Sequence, residues 1–242
     1  MKRKAELLSV SFILLSSWLL AQMQHEPVIS FREDPKTHNM HICSDGAFYY
    51  TCNGGKSGEG QICKFSLKGN LVQCYPMELD MRAIMYNPSD KSFYVCCYDR
   101  NIYRITSLDR GEHAVVHRER YKDGQATPAL SPDGKSFYVL DENTVKVYDM
   151  ADGHMISSLS DISSGSDYAT GACAVAVSKS GIYTWDGEKQ VIYCYTKKGK
   201  FKKSWNITKG NYGFSLSYAN GLIFVSEDGD YNMGDWFGYK LK

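Results

Sequence analysis

An aromatic or apolar pair returns through the chain at a nearly constant interval. The pairs are Phe48-Tyr49, Phe93-Tyr94, Phe137-Tyr138, Ile182-Tyr183 and Ile223-Phe224, and their second members lie 45, 44, 45 and 41 residues apart. A turn signal stands just before each: Ser44-Asp45-Gly46, Ser89-Asp90, Asp133-Gly134, Ser180-Gly181 and Asn220-Gly221. Gly, Asn and Asp tolerate the positive φ that tight hairpins require, so each pair opens the second strand of a hairpin. A repeat of this length is one supersecondary unit that buries its faces only against its neighbours.

The third unit shows the internal order. Ala126 to Leu130 reads as strand a, Ser131-Pro132-Asp133-Gly134 as the turn, and Lys135 to Leu140 as strand b. Thr144 to Asp149 alternates as strand c, and His154 to Leu159 follows the Asp152-Gly153 turn as strand d. Equivalent d strands are Leu71–Pro76, His113–Arg118 and Lys200–Trp205, after Gly69, Gly111 and Gly199. Four short strands at this period predict an all-β, five-bladed β-propeller of four-stranded blades. The blades are expected near 38–77, 82–118, 126–159, 172–205 and 212–242. The last unit lacks a d strand, while a spare strand, Pro27 to Phe31, precedes the first. That N-terminal strand is expected to pair with the C-terminal one and close the last blade. No apolar pattern runs at a period of 3.6 for more than about a turn.

At Ser131-Pro-Asp-Gly-Lys-Ser-Phe-Tyr-Val139 and Asn143-Thr-Val-Lys-Val-Tyr-Asp149 the chain resembles the YVTN-type propeller repeat. The likeness is close over residues 131–159, weaker over 87–110, and elsewhere reduced to the turn and the pair. It implies a propeller outside the cytoplasm, usually with binding or assembly roles and sometimes lactonase-like annotation. The motif is structural and brings no catalytic residue with it.

The N-terminus carries Lys2, Arg3 and Lys4, then an apolar stretch from Leu7 to Ala21, with Leu19 and Ala21 placed for cleavage before Gln22. This layout predicts a signal peptide over 1–21. The stretch is shorter than the roughly 20 residues that a membrane span needs, so no integral membrane segment is expected after cleavage. The expected location is secreted or periplasmic, where disulfides persist. Of eight cysteines, Cys63 and Cys74 flank the c–d hairpin of blade one, and a register through Lys68-Gly69 sets them opposite each other as a candidate disulfide. Net charge is +1 and no long basic run occurs, which leaves nucleic acid without an electrostatic footprint. Asn206-Ile207-Thr208 is a glycosylation sequon, relevant only in a eukaryotic secretory host.

In a propeller the b–c and d–a loops share one face, which is where longer loops concentrate binding residues. Asp141, Asp186 and Glu227 occupy matching positions after strand b, with Cys52 and Cys97 at the corresponding positions of blades one and two. They read either as a partial ring of carboxylates able to share acid/base work or as ordinary polar turn residues. Asp228, Asp230, Asn232 and Asp235 alternate like the oxygen ligands of a calcium loop, but the glycine is displaced and no bidentate Glu follows. Calcium is the one cofactor the pattern suggests, beside a solvated turn. Tyr98, Tyr121, Tyr168, Trp185, Tyr212 and Trp236 flank the same face, as a rim for sugar or peptide or as interblade packing. The histidines, His38 and His41 among them, read as surface or core residues. No nucleophile elbow, zinc-protease helix or phosphate loop occurs. The expected function is therefore an exported, non-enzymatic module that binds a protein or carbohydrate ligand. The alternative is a propeller enzyme, a metal-dependent lactonase or lyase or a glycosidase, using the acids at the channel mouth.

Overall fold

The computed structural model describes residues 24–162 and 173–241; the expected signal peptide and Tyr168 lie outside the described residues. Five sheets follow in chain order. Blade one is β3 (His38–Ser44), β4 (Phe48–Gly54), β5 (Gln61–Ser66) and β6 (Leu71–Pro76); blade two is β7 (Met81–Asn87), β8 (Ser92–Cys97), β9 (Ile102–Ser107) and β10 (Glu112–His117). Blade three comprises β11 (Ala129–Leu130), β12 (Ser136–Asp141), β13 (Thr144–Asp149) and β14 (Met155–Leu159). Blade four holds β15 (Ala176–Val177), β16 (Ile182–Asp186), β17 (Val191–Tyr195) and β18 (Phe201–Ile207). Blade five runs β19 (Ser217–Ala219), β20 (Leu222–Glu227) and β21 (Gly234–Tyr239). Strand a of blade three is shorter than the sequence predicts, because Thr127 turns aside to bridge Ala174 of the next blade.

Burial explains why the inner strands are apolar and the outer ones polar. β4 and β16 are buried nearly throughout, sandwiched between blades, whereas β6 and β14 are mostly exposed. A strand covered on both faces has no need to alternate. Each blade interface owns one apolar cluster. Between blades five and one, for example, lie Phe31, Ile42, Tyr49, Phe65, Phe224 and Trp236.

The ring closes through the N-terminus. β2 (Ile29–Glu33) pairs antiparallel with β21 and completes blade five, with Phe31 opposite Trp236. β1 (Gln24–His25), absent from the sequence reading, adds a fifth strand to blade four, parallel to β18. At the seam Glu33 is buried and accepts hydrogen bonds from Thr51 Oγ1 (2.6 Å), Trp236 Nε1 (2.6 Å) and Asn39 Nδ2 (3.3 Å). One carboxyl thus ties the closing strand to the first and last blades. Burial raises its pKa to about 7 despite these donors.

The a–b turns bear out their chemistry. Asp133 Oδ1 accepts from Ser131 Oγ (2.6 Å) and the Lys135 N–H (3.2 Å), and Gly134 takes φ +74°. The Ser-Pro-Asp-Gly-Lys stretch therefore satisfies its own polar groups, which makes it a structural motif. Tyr50 and Tyr94 donate their hydroxyls to turn aspartates Asp45 (2.9 Å) and Asp90 (2.6 Å). By this role and by strand register, Tyr50 rather than Tyr49 is the counterpart of Tyr94. The longer Ser44–Phe48 turn displaces blade one by a residue relative to the sequence repeat.

Candidate functional site

The same displacement changes the reading of the acids after strand b. Three residues beyond Tyr50 stands Asn53, so Asn53, not Cys52, is the blade-one counterpart of Asp141, Asp186 and Glu227. Asn53 Oδ1 accepts from the Gln61 N–H (2.7 Å), while its Nδ2 donates to Glu59 O (2.8 Å) across the b–c loop. Asp186, almost fully buried, likewise accepts from the Lys189 N–H (3.0 Å) and pairs with Lys189 Nζ (2.9 Å). Asp141 pairs with Lys146 Nζ (2.6 Å), and Glu227 accepts from the Gly210 N–H (3.3 Å). The position fastens loops. No ligand cluster joins any two of the three among the described residues.

The aromatic residues divide by burial. Trp185 and Trp236 are buried in the blade 4–5 and 5–1 clusters, and Tyr121 is buried with its hydroxyl on Cys97 O (2.8 Å). Tyr98 is 52% exposed and Tyr212 half-buried. The acidic loop of blade five divides too. Asp235 forms a two-bonded pair with Arg32 on the closing strand (2.9 Å each), and Asn232 donates to Asp230 O (3.4 Å). Asp228 turns inward: Oδ2 lies 2.6 Å from His38 Nδ1, and Oδ1 accepts from the Asn39 N–H (3.1 Å). His38, Asp228 and Asp230 offer ligand atoms within 4.8 Å of one another, the one part of the expected calcium loop with such convergence. The His38 ring stacks on Tyr212 (5.8 Å) and meets Tyr231 edge-on (4.8 Å), and Lys56 Nζ lies over Tyr231 (4.9 Å).

Next to this group is a residue the sequence reading missed. Arg82 sits in the innermost strand of blade two and is only 6% exposed. Nη2 donates to Asp80 Oδ2 (3.2 Å), Nη1 makes a long contact to Met40 Sδ (3.9 Å), and Nε has no partner among the described residues. Its guanidinium lies 5.0 Å from the Tyr98 ring centre. Tyr212 Oη donates to the same Met40 sulfur (3.6 Å), so Asp228, His38, Tyr212, Met40, Arg82 and Tyr98 form one connected set. Gly54 makes room for it: a Cβ there would stand 2.7 Å from Arg82 Nη1 and 3.0 Å from Met40 Cγ. A guanidinium carries five N–H donors, and this one has a single full hydrogen bond among the described residues. A lone charge within the apolar run Met81-Arg82-Ala83-Ile84-Met85 was the available signal, since buried arginine without partners is rare.

No family model matches the sequence, and no curated protein matches it. The fold is similar to that of the crystal structure of glutaminyl cyclase from Myxococcus xanthus, with a TM-score of 0.61 at 7% identity, covering 89% of this chain and 97% of that one. At that identity the likeness concerns the fold alone.

Proposed function

We propose that the protein is an exported propeller that binds a small ligand on the b–c/d–a face, seated on Arg82. The observation that carries this is the buried guanidinium whose donors are unfilled among the described residues, which is costly unless an acceptor completes it. Asp80, Asp228 and Asp230 outnumber Arg82 and Lys56 around it, which disfavours a bare polyanion. The complementary ligand presents a carbonyl or carboxylate oxygen to Arg82 and a protonated amine to the acids, as an amino acid or a peptide N-terminus does. Likeness in fold to an enzyme named for a glutaminyl group is compatible with that class. The disulfide between Cys63 and Cys74, together with the YVTN-like turn of blade three, supports a place outside the cytoplasm.

The His38–Asp228 pair favours one second reading, an enzyme of the same ligand class. A carboxylate on Nδ1 fixes the ring and leaves Nε2 as a proton acceptor. A thermal-shift panel on residues 22–242 tests the binding proposal. L-glutamine and glycylglutamine should raise the melting temperature, whereas N-acetylglutamine and glucose should not; a ligand at a hundred times its Kd adds about 2.7 kcal/mol. A response to glucose alone would contradict the ligand class. Loss of glycylglutamine during incubation, seen by mass spectrometry, would establish the enzyme.

A further inference from the structure

Among the a–b turns, at the end of the ring away from Arg82, lies a cavity of about 310 Å³. All five innermost strands line it, through Cys43, Tyr86, Leu130, Val177 and Tyr218, with His41 beside them. We infer that this cavity is a second binding site, for a neutral, aromatic-sized molecule with one polar edge.

The walls set the ligand's charge. Asp45 is the single charged side chain along the lining, and its oxygens already serve the Ala47 and Phe48 N–H groups and the Tyr50 hydroxyl. A charged ligand would lose its hydration and gain no counter-ion, a cost that excludes ions from such sites. His41 is neutral: it is 4% exposed, Nδ1 donates to Ile84 O (2.9 Å), and burial lowers its pKa to about 4. Its Nε2 is itself buried and has no partner among the described residues, so the polar edge falls to the tyrosines. The Tyr86 and Tyr218 hydroxyls have no hydrogen-bond partner among the described residues, and both residues line the cavity half-buried. Apolar walls with a few unfilled polar groups are the usual composition of a small-molecule pocket, and this volume is at the lower end of the usual range. The six unpaired cysteines, Cys43 included, are buried, and burial pushes the Cys43 thiol well up, so the cavity holds a thiol rather than a nucleophile.

Titration calorimetry with indole, phenol and benzoate on residues 22–242 tests the inference. Indole and phenol should bind saturably, with benzoate at least tenfold weaker. Leu130→Trp and Val177→Phe each fill the cavity from a different blade, and either folded variant should lose indole binding. Arg82→Met should leave indole binding unchanged, which separates this site from the one on the opposite face. Absence of saturable binding, equal binding of benzoate, or indole binding that survives in a folded filled variant would each overturn the inference.

Discussion

Replacing Glu33 by glutamine isolates one titration in the seam of the ring. Burial holds the Glu33 carboxyl at about 7, against an ordinary value of 4.5. A folded pKa above the unfolded one means that the folded state keeps the proton longer. Its stabilising contribution is therefore complete below pH 4.5 and drains away as the pH rises through 7. A displacement of that size corresponds to about 3 kcal/mol between pH 4 and pH 8. His41 works in the opposite sense. Its folded pKa is about 4 against 6.5, so its contribution is present above pH 6.5 and is lost as the pH falls toward 4, again by about 3 kcal/mol. In the wild type the two slopes nearly cancel between pH 4.5 and 6.5. Glutamine fits the site: its oxygen can accept from Trp236 and Asn39, and its NH₂ can donate to Thr51 Oγ1, which can turn its own proton to Cys63 O (3.4 Å). Urea unfolding of Glu33→Gln should show stability rising from pH 4 to 6.5 where the wild type stays level. Relative to the wild type, the variant should gain about 3 kcal/mol between pH 4 and pH 8. Parallel curves for the two proteins would refute the reasoning.

Other expectations follow from the same packing. Non-reducing mass spectrometry should find one disulfide, Cys63–Cys74, with the other six thiols unlabelled in the folded state; removing the pair should cost about 2–3 kcal/mol in urea unfolding. Phe31→Ala empties the core between the closing strand and blade one, and should cost about 3–5 kcal/mol by the same measurement. Gly54→Ala drives a Cβ to 2.3 Å from Met81 O; the overpacking should cost about 1–3 kcal/mol, read as a lowered urea midpoint. Export with cleavage before Gln22 should leave Gln22 as the N-terminus of the secreted protein, read by mass spectrometry.

Turn chemistry made the blades legible in the sequence. Asp133-Gly134 and Asn220-Gly221 have few other uses between alternating strands, and the unfinished last repeat pointed to the N-terminal closing strand. The pairing of Cys63 with Cys74 followed from the hairpin register. Less legible is anything that a shift of one residue displaces. One longer turn in blade one moves the counterpart of Asp186 from Cys52 to Asn53, and the loop contacts of Asn53, Asp141, Asp186 and Glu227 could not be read from their spacing. Facing was equally obscure: Trp185 and Trp236 adjoin long loops in sequence, yet their strands aim them into the blade interfaces. The site was hidden for a different reason. His38 and Asp228 are 190 residues apart and meet only because the ring closes. Arg82 is inconspicuous in the sequence because its neighbours spell an ordinary core strand.

Calorimetric titration of glycylglutamine into the wild type and Arg82→Met tests the binding proposal most directly. A hydrogen bond to a charged group contributes about 1.5–3 kcal/mol, so the methionine variant, folded and of unchanged propeller spectrum, should bind about 10 to 150 times more weakly. Equal affinity in the two proteins, or no binding to the wild type, would contradict the assignment of Arg82 as the seat of the ligand.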